Sequence, residues 1–273
     1  MAPRRSLSPS SASTWRQCPA RWRYRYVENL PDPPGHEAVI GSFVHRVLEA
    51  LLGEEPGKRS TDRAREFATR FWPDYVDDPD VRRLDLDEVG LLGHKRRIWA
   101  AVTGLWQLED PTTIDVRATE HRLRTELDGV PFTGVVDRLD ATEDGLVVTD
   151  YKSGKAPTHA NTPDKLDQVF LYAAAVERTL GETPVRVQLH YLGDRTIDAV
   201  VEAAATDAAV ARLRTVWDEI EHAQQTDEFT ASTGPLCGWC PYVERCDAGL
   251  EEVRRIHARG RLRADAPAMK YVA

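Results

Sequence analysis

The residues most able to do chemistry lie in one short stretch, GVVDRLDATEDGLVVTDYKSGK, residues 134–155. Asp137 sits in one strand-like run, and Asp150 and Lys152 sit in the next. The acidic turn between the runs is short enough to make them antiparallel neighbours. Side chains alternate along a strand, so Asp150 and Lys152 project to the same side. Two carboxylates and a lysine at a strand end are what metal-assisted phosphodiester cleavage needs. Carboxylates hold Mg²⁺ or Mn²⁺, the metal lowers the pKa of a water, and the lysine orients that water or neutralises transition-state charge. Asp-x-Lys also occurs on ordinary strand surfaces. The chemical reading gains from LVVTDYK being apolar until its end, as in a central strand opening into a cleft.

Two helical features extend this set. His45 lies on the flank of the apolar stripe Ile40, Phe43, Val44, Val47, Leu48 and Leu51, one turn after Gly41. It reads either as a half-buried histidine or as a metal-facing imidazole, with the glycine admitting a neighbouring element. Gln168 and Tyr172, at i and i+4, share one helix face, as packing partners or as part of a site. A third group is CGWCPYVERC, which brings Cys237, Cys240 and Cys246 together, while the other cysteine, Cys18, lies far upstream. Four thiolates suit an iron–sulfur cluster or zinc, and unrelated free thiols are the remaining reading. Structural zinc sites usually pair two close Cys-x-x-Cys knuckles, which this spacing lacks.

The elements that must position these groups follow from periodicity. A serine-rich entry caps a helix near Ser13, and the amphipathic helix carrying His45 spans 37–52. Residues 60–72 and 86–108 read as helices separated by the proline-containing WPDYVDDPDVRR. From residue 113 three strand-like runs form an antiparallel meander. A helix ending at Gly181 follows, then the strand VRVQLHYL, the run TIDAVVEA and a helix over 206–225. That order is α/β. One domain over 1–273 is expected, with an N-terminal segment 1–36, a helical part 37–112, a core 113–204 and a C-terminal part 205–273.

Hydrophobic content of 41% and charged content of 29% describe a globular chain. No apolar run is long enough for a membrane helix, and the N-terminus lacks a secretory apolar region, so a cytoplasmic location is expected. In that reducing compartment four cysteines point to metal more than to disulfides. The net charge is −8, yet residues 1–27 hold Arg4, Arg5, Arg16, Arg21, Arg23 and Arg25 and no acid. Residues 254–263 add five arginines, again without an acid. Arg16, Arg21 and Arg23, interleaved with Trp15, Trp22, Tyr24 and Tyr26, are candidate DNA contacts, the arginines for phosphates and the aromatics for unpaired bases. Packing around the cysteines is the other reading of those aromatics, and the better one for Trp22 and Tyr26.

Taken together, GSFVHRVLE, GVVDRLD, VVTDYKSGK and QVFLYAAAV resemble, in order and spacing, the RecB-like nuclease branch of the PD-(D/E)XK superfamily. The resemblance implies a restriction-endonuclease-like core, a central mixed sheet flanked by helices, with a helical insertion. It implies that His45, Asp137 and Asp150 bind the metal, with the Tyr151 carbonyl as a further ligand. Lys152 would assist attack, and Gln168 and Tyr172 would belong to the helix after the catalytic strands. Glu120 matches an acid on the first strand of such domains. Relatives similar to the AddB nuclease domain and the CRISPR-associated RecB-like nucleases ligate a 4Fe–4S cluster with one cysteine before the core and three after it. By that resemblance Cys18, Cys237, Cys240 and Cys246 staple the two ends of the chain beside the reaction site.

The function so implied is a metal-dependent DNA exonuclease acting on single strands or ends. A catalytically silent DNA-binding or assembly module of a repair complex is the alternative. Its mark would be a lost active-site residue, and none is lost. A zinc-binding structural protein without nucleic acid ranks behind both. No phosphate loop of the form G-x-x-x-x-G-K-[ST] is present, so unwinding would fall to a helicase or repair partner.

Overall fold

The computed structural model describes residues 6–158 and 162–272. The chain forms an α/β structure with a five-stranded mixed sheet, as expected. Contacts divide it into two compact units. One unit comprises Pro34–Asp128 and Phe132–Ala211. The other comprises Met1–Pro33, Gly129–Pro131 and Arg212–Ala273.

In the larger unit, helix α3 (His36–Leu52) buries Val39, Ile40, Phe43, Val44, Val47, Leu48, Leu51 and Leu52, the apolar stripe read from its periodicity. It packs against α4 (Thr61–Asp77) and α6 (Glu88–Leu108), with the short α5 (Pro79–Arg82) between those two in sequence. The expected break before Pro73 does not occur, because α4 runs through it. An interior proline costs about 3 kcal/mol. Here the helix buries Phe67 and Tyr75 and packs Phe71, Trp72 and Val76 on the same core, which offsets that cost.

The sheet contains β1 (Asp115–Leu127), β2 (Val130–Thr142), β3 (Gly145–Lys152), β4 (Arg186–Tyr191) and β5 (Arg195–Val200), in that spatial order. β2 and β3 are antiparallel, with Arg138 opposite Thr149. β3 and β4 are parallel, joined through helix α7 (Thr162–Leu180), and β5 returns antiparallel to β4. A parallel pair needs such a crossover, whereas antiparallel neighbours need only a turn. The central strand β3 is buried over Leu146–Tyr151 and opens at its C-terminal end at Lys152, which fits its apolar reading.

The smaller unit begins with α1 (Pro9–Gln17) and α2 (Pro19–Tyr26). Helix α1 starts earlier than expected. Ser8 and Ser11 form a reciprocal capping box, with Pro9 in the first turn. The unit also holds the later part of α8 (Ala203–Thr226) and all of α9 (Asp247–Ala258). Its core packs Trp15 edge-on against Trp22, with Phe229 stacked on Trp22. Among the described residues no helix is long and apolar enough to cross a membrane.

Candidate active site

The larger unit brings the chemistry-bearing side chains to one cleft of about 780 Å³, lined among others by His45, Glu120, Tyr151, Lys152 and Gln168. Helix α3 can lie close to the end of β3 because it carries glycine there. A Cβ on Gly41 would stand 3.3 Å from Ser153 Oγ. One turn further on, His45 Nδ1 lies 3.4 Å from Asp137 Oδ1 and 3.8 Å from Glu120 Oε1. His45 Nε2 faces the Tyr151 carbonyl at 3.2 Å. His45, Glu120 and Asp137 form the one trio of potential ligands among the described residues whose donor atoms all lie within 4.8 Å of each other. Glu120 reaches it from left-handed backbone, φ 48° within β1, a conformation that costs about 1–3 kcal/mol for a residue with a side chain.

Burial works against charge on His45, but the carboxylates of Asp137 and Glu120 outweigh it and push its pKa up to about 10. An imidazole, two carboxylates and a backbone carbonyl make a donor set suited to a divalent ion of the Mg²⁺ or Mn²⁺ kind. Negative charge converging on a half-buried histidine leaves an excess that such an ion would neutralise.

Asp150 is buried and lies outside that trio. Its Oδ2 is 2.6 Å from Lys152 Nζ, and its Oδ1 accepts a 2.6 Å hydrogen bond from Gln168 Nε2. Burial raises the Asp150 pKa, and Lys152 opposes the rise. Gln168 Oε1 accepts from Lys152 at 3.2 Å, while its Nε2 also donates to the Tyr172 hydroxyl at 3.1 Å. One amide thus orients the acid, the lysine and the phenol. The Tyr172 ring lies over Gly134, where a Cβ would come within 2.6 Å of it. The glycine of GVVD is therefore the floor on which that helix residue rests.

A family model of the PD-(D/E)XK nuclease superfamily matches residues 6–247. The chain belongs to that superfamily. The fold agrees with the crystal structure of a candidate exonuclease from Eubacterium rectale. The TM-score is 0.57 at 12% identity, over 89% of this chain and 88% of that one. Among curated proteins none matches the sequence. Nucleases of the superfamily use divalent metals, in keeping with the acidic trio.

In this superfamily member the smaller unit assembles the cysteines. Cys18, Cys237, Cys240 and Cys246 are free thiols lining one pocket. Backbone N–H groups of Ser232, Gly234 and Gly249 point at the sulfurs of Cys18, Cys237 and Cys246, at 3.4, 3.5 and 3.3 Å. A Cβ on Gly249 would stand 3.2 Å from Cys246 Sγ, so its absence lets the amide approach. Cys246 is also the N-cap of α9, its sulfur accepting from the Gly249 N–H. No three of these sulfurs meet the 4.8 Å spacing of the acidic trio, within the described residues.

The candidate DNA arginines have partners within this unit. Arg21 pairs with Asp32, and Arg23 with Glu28 and Asp227, while Arg16 is exposed. Arg4 and Arg5 lie outside the described residues. Trp15 and Trp22 are buried, and Trp15 donates to Glu219, so neither offers a free face to a base.

Proposed function

We propose that this chain is a metal-dependent deoxyribonuclease of the RecB-like branch, an exonuclease that acts on single-stranded DNA or DNA ends. The observation that carries the reading is the convergence of His45, Glu120, Asp137 and the Tyr151 carbonyl beside the Asp150–Lys152–Gln168 cluster. His45, Asp137, Glu120 and the Tyr151 carbonyl would hold Mg²⁺ or Mn²⁺, with Asp150 adjoining. An ion held there supplies Lewis-acid charge beside a phosphate and a bound water of lowered pKa. The Lys152 ammonium, fixed by Asp150 and Gln168, orients the attacking water and offsets charge on the pentacoordinate transition state. Gln168 keeps both groups aligned, and Tyr172 and Gly134 keep Gln168 in place. The name of the structural relative supports the exonuclease mode.

In the same reading the four cysteines hold a 4Fe–4S cluster, which staples the smaller unit. The sequence spacing supports the cluster over zinc, because Cys18 stands alone far from Cys237, Cys240 and Cys246 instead of forming a second close knuckle. Amide-to-sulfur hydrogen bonds at Cys18, Cys237 and Cys246 suit thiolates of either kind. DNA reaches the chain by way of Arg16, Arg21 and Arg23, in a cytoplasmic setting where a helicase or repair partner does the unwinding.

The test is Lys152→Ala with labelled single-stranded DNA and Mn²⁺. Cleavage is expected to vanish while DNA binding persists. Wild-type cleavage by the variant would remove the catalytic assignment. Anaerobic purification with an absorbance spectrum and iron analysis tests the cluster, and zinc without iron would refute it.

A further inference from the structure

On the face of the sheet opposite Asp137, Asp150 and Lys152 lies a buried polar cluster that no step of the cleavage chemistry uses. Arg138 is 1% exposed, although it directly follows Asp137. Its side chain points the other way because successive strand residues alternate. The pairings Arg138 with Thr149, Thr149 with Gln188, and Tyr151 with His190 put these residues on one face. Asp137, Asp150 and Lys152 alternate to the other.

The guanidinium is fully engaged. Nε meets Asp140 at 2.8 Å, and Nη1 and Nη2 grip Glu109 at 2.5 and 2.9 Å. Nη1 also donates to the Tyr151 hydroxyl at 2.5 Å. Glu109 is held in turn by His190 Nε2 at 3.1 Å, and His190 Nδ1 by Thr196 at 3.0 Å. Stability alone does not explain such a cluster, since well-packed apolar residues of similar volume often serve as well or better.

Tyr151 joins this cluster to the cleft. Its hydroxyl is tied to Arg138, its backbone N–H donates to Asp137 Oδ2 at 2.7 Å, and its carbonyl faces His45 at 3.2 Å. We propose that Arg138, locked by Glu109, Asp140 and His190, is a positioning residue that sets the metal-binding edge through the Tyr151 hydroxyl. The inference rests on the nuclease reading above. Arg138 touches neither metal nor substrate. It fixes the peptide that orients Asp137 and presents a carbonyl beside His45, so the planar fork of an arginine, with several donors at set angles, is what the position requires.

Tyr151→Phe removes the hydroxyl link and keeps the ring. Mn²⁺ binding, read by electron paramagnetic resonance without DNA, is expected to weaken roughly tenfold, as for loss of other groups that orient metal ligands. On single-stranded DNA, kcat falls by a similar factor while KM for DNA holds. Ile98→Val, in the same helical core as the Tyr151 ring, serves as the packing control and leaves Mn²⁺ affinity unchanged. If Tyr151→Phe loses thermal stability as the control does but keeps wild-type Mn²⁺ affinity and kcat, the cluster is a packing feature and the proposal falls. Lys152→Ala separates the two failures. Wild-type cleavage in that variant sinks the nuclease reading, whereas the Mn²⁺ titration of Tyr151→Phe judges the positioning role by itself.

Discussion

Gly134→Ala puts one methyl group where the structure leaves no room for it. The added Cβ would lie 2.6 Å from Tyr172 Cε1, 3.2 Å from Cδ1 and 3.4 Å from Phe132 Cε1. Carbon atoms pack best at about 3.5–4.0 Å, so the Tyr172 ring must move by about 1 Å. The ring is buried on a helix whose neighbours Val169, Ala173, Ala175 and Val176 are buried too, which limits its escape. Overpacking of this kind costs about 1–3 kcal/mol, set against about 0.4–1 kcal/mol gained from a stiffer unfolded chain. Activity should suffer more than stability. Gln168 donates to the Tyr172 hydroxyl and to Asp150, so a displaced ring shifts the group that aligns Asp150 with Lys152. A misplacement of about 1 Å is worth on the order of a hundredfold in rate. Urea unfolding and Mn²⁺-dependent cleavage of single-stranded DNA, measured in wild-type and Tyr172→Ala backgrounds, form the assay. With the ring gone the methyl group keeps only an ordinary contact with Phe132, at 3.4 Å, and its cost should disappear. An equal cost in both backgrounds, or none in either, would refute the reasoning.

Two pH effects follow from the same geometry. His45, protonated up to about pH 10 in the metal-free protein, must lose its proton to bind a metal. Mn²⁺ affinity is therefore expected to rise about tenfold per pH unit between roughly pH 6 and 8, and a flat titration by electron paramagnetic resonance would contradict the ligand role. Burial favours the neutral form of Glu109, but Arg138 and His190 hold its pKa down to about 2. A depressed carboxylate adds stability above its unfolded pKa near 4.5, and that stability is lost as pH falls towards 2. The shift corresponds to about 3 kcal/mol. The stability gap between wild type and Glu109→Gln should shrink by about that amount between pH 5 and pH 2 in urea titrations, and a constant gap would count against the ion pair.

Much of the site was legible because it is written in short, periodic segments. Asp137, Asp150 and Lys152 lie within one hairpin, where alternation and a short turn already fix which side chains share a face. The stripe of α3 placed His45 on its flank, and the i, i+4 spacing of Gln168 and Tyr172 put both on one side of α7. Reading failed where tertiary packing overruled a local rule. Pro73 should stop a helix, yet the aromatics of α4 bury enough surface to carry it through. Trp15 reads as a candidate base-stacking residue, but it joins Trp22, for which packing is the better reading, in the core of the smaller unit.

The sequence alone determined most of the elements, the α/β class and which residues are candidates to bind metal or assist hydrolysis, because periodicity and turn chemistry are properties of neighbouring residues. Only the tertiary structure decided what those residues touch. It brought Glu120 to His45 through a left-handed residue inside a strand and set Tyr172 on Gly134. It also joined Glu109, which caps α6, Arg138 of β2 and His190 of β4 into one cluster on the face opposite Asp137 and Asp150. No local pattern encodes such meetings. They arise when burial removes water and each polar group must find a partner elsewhere in the chain.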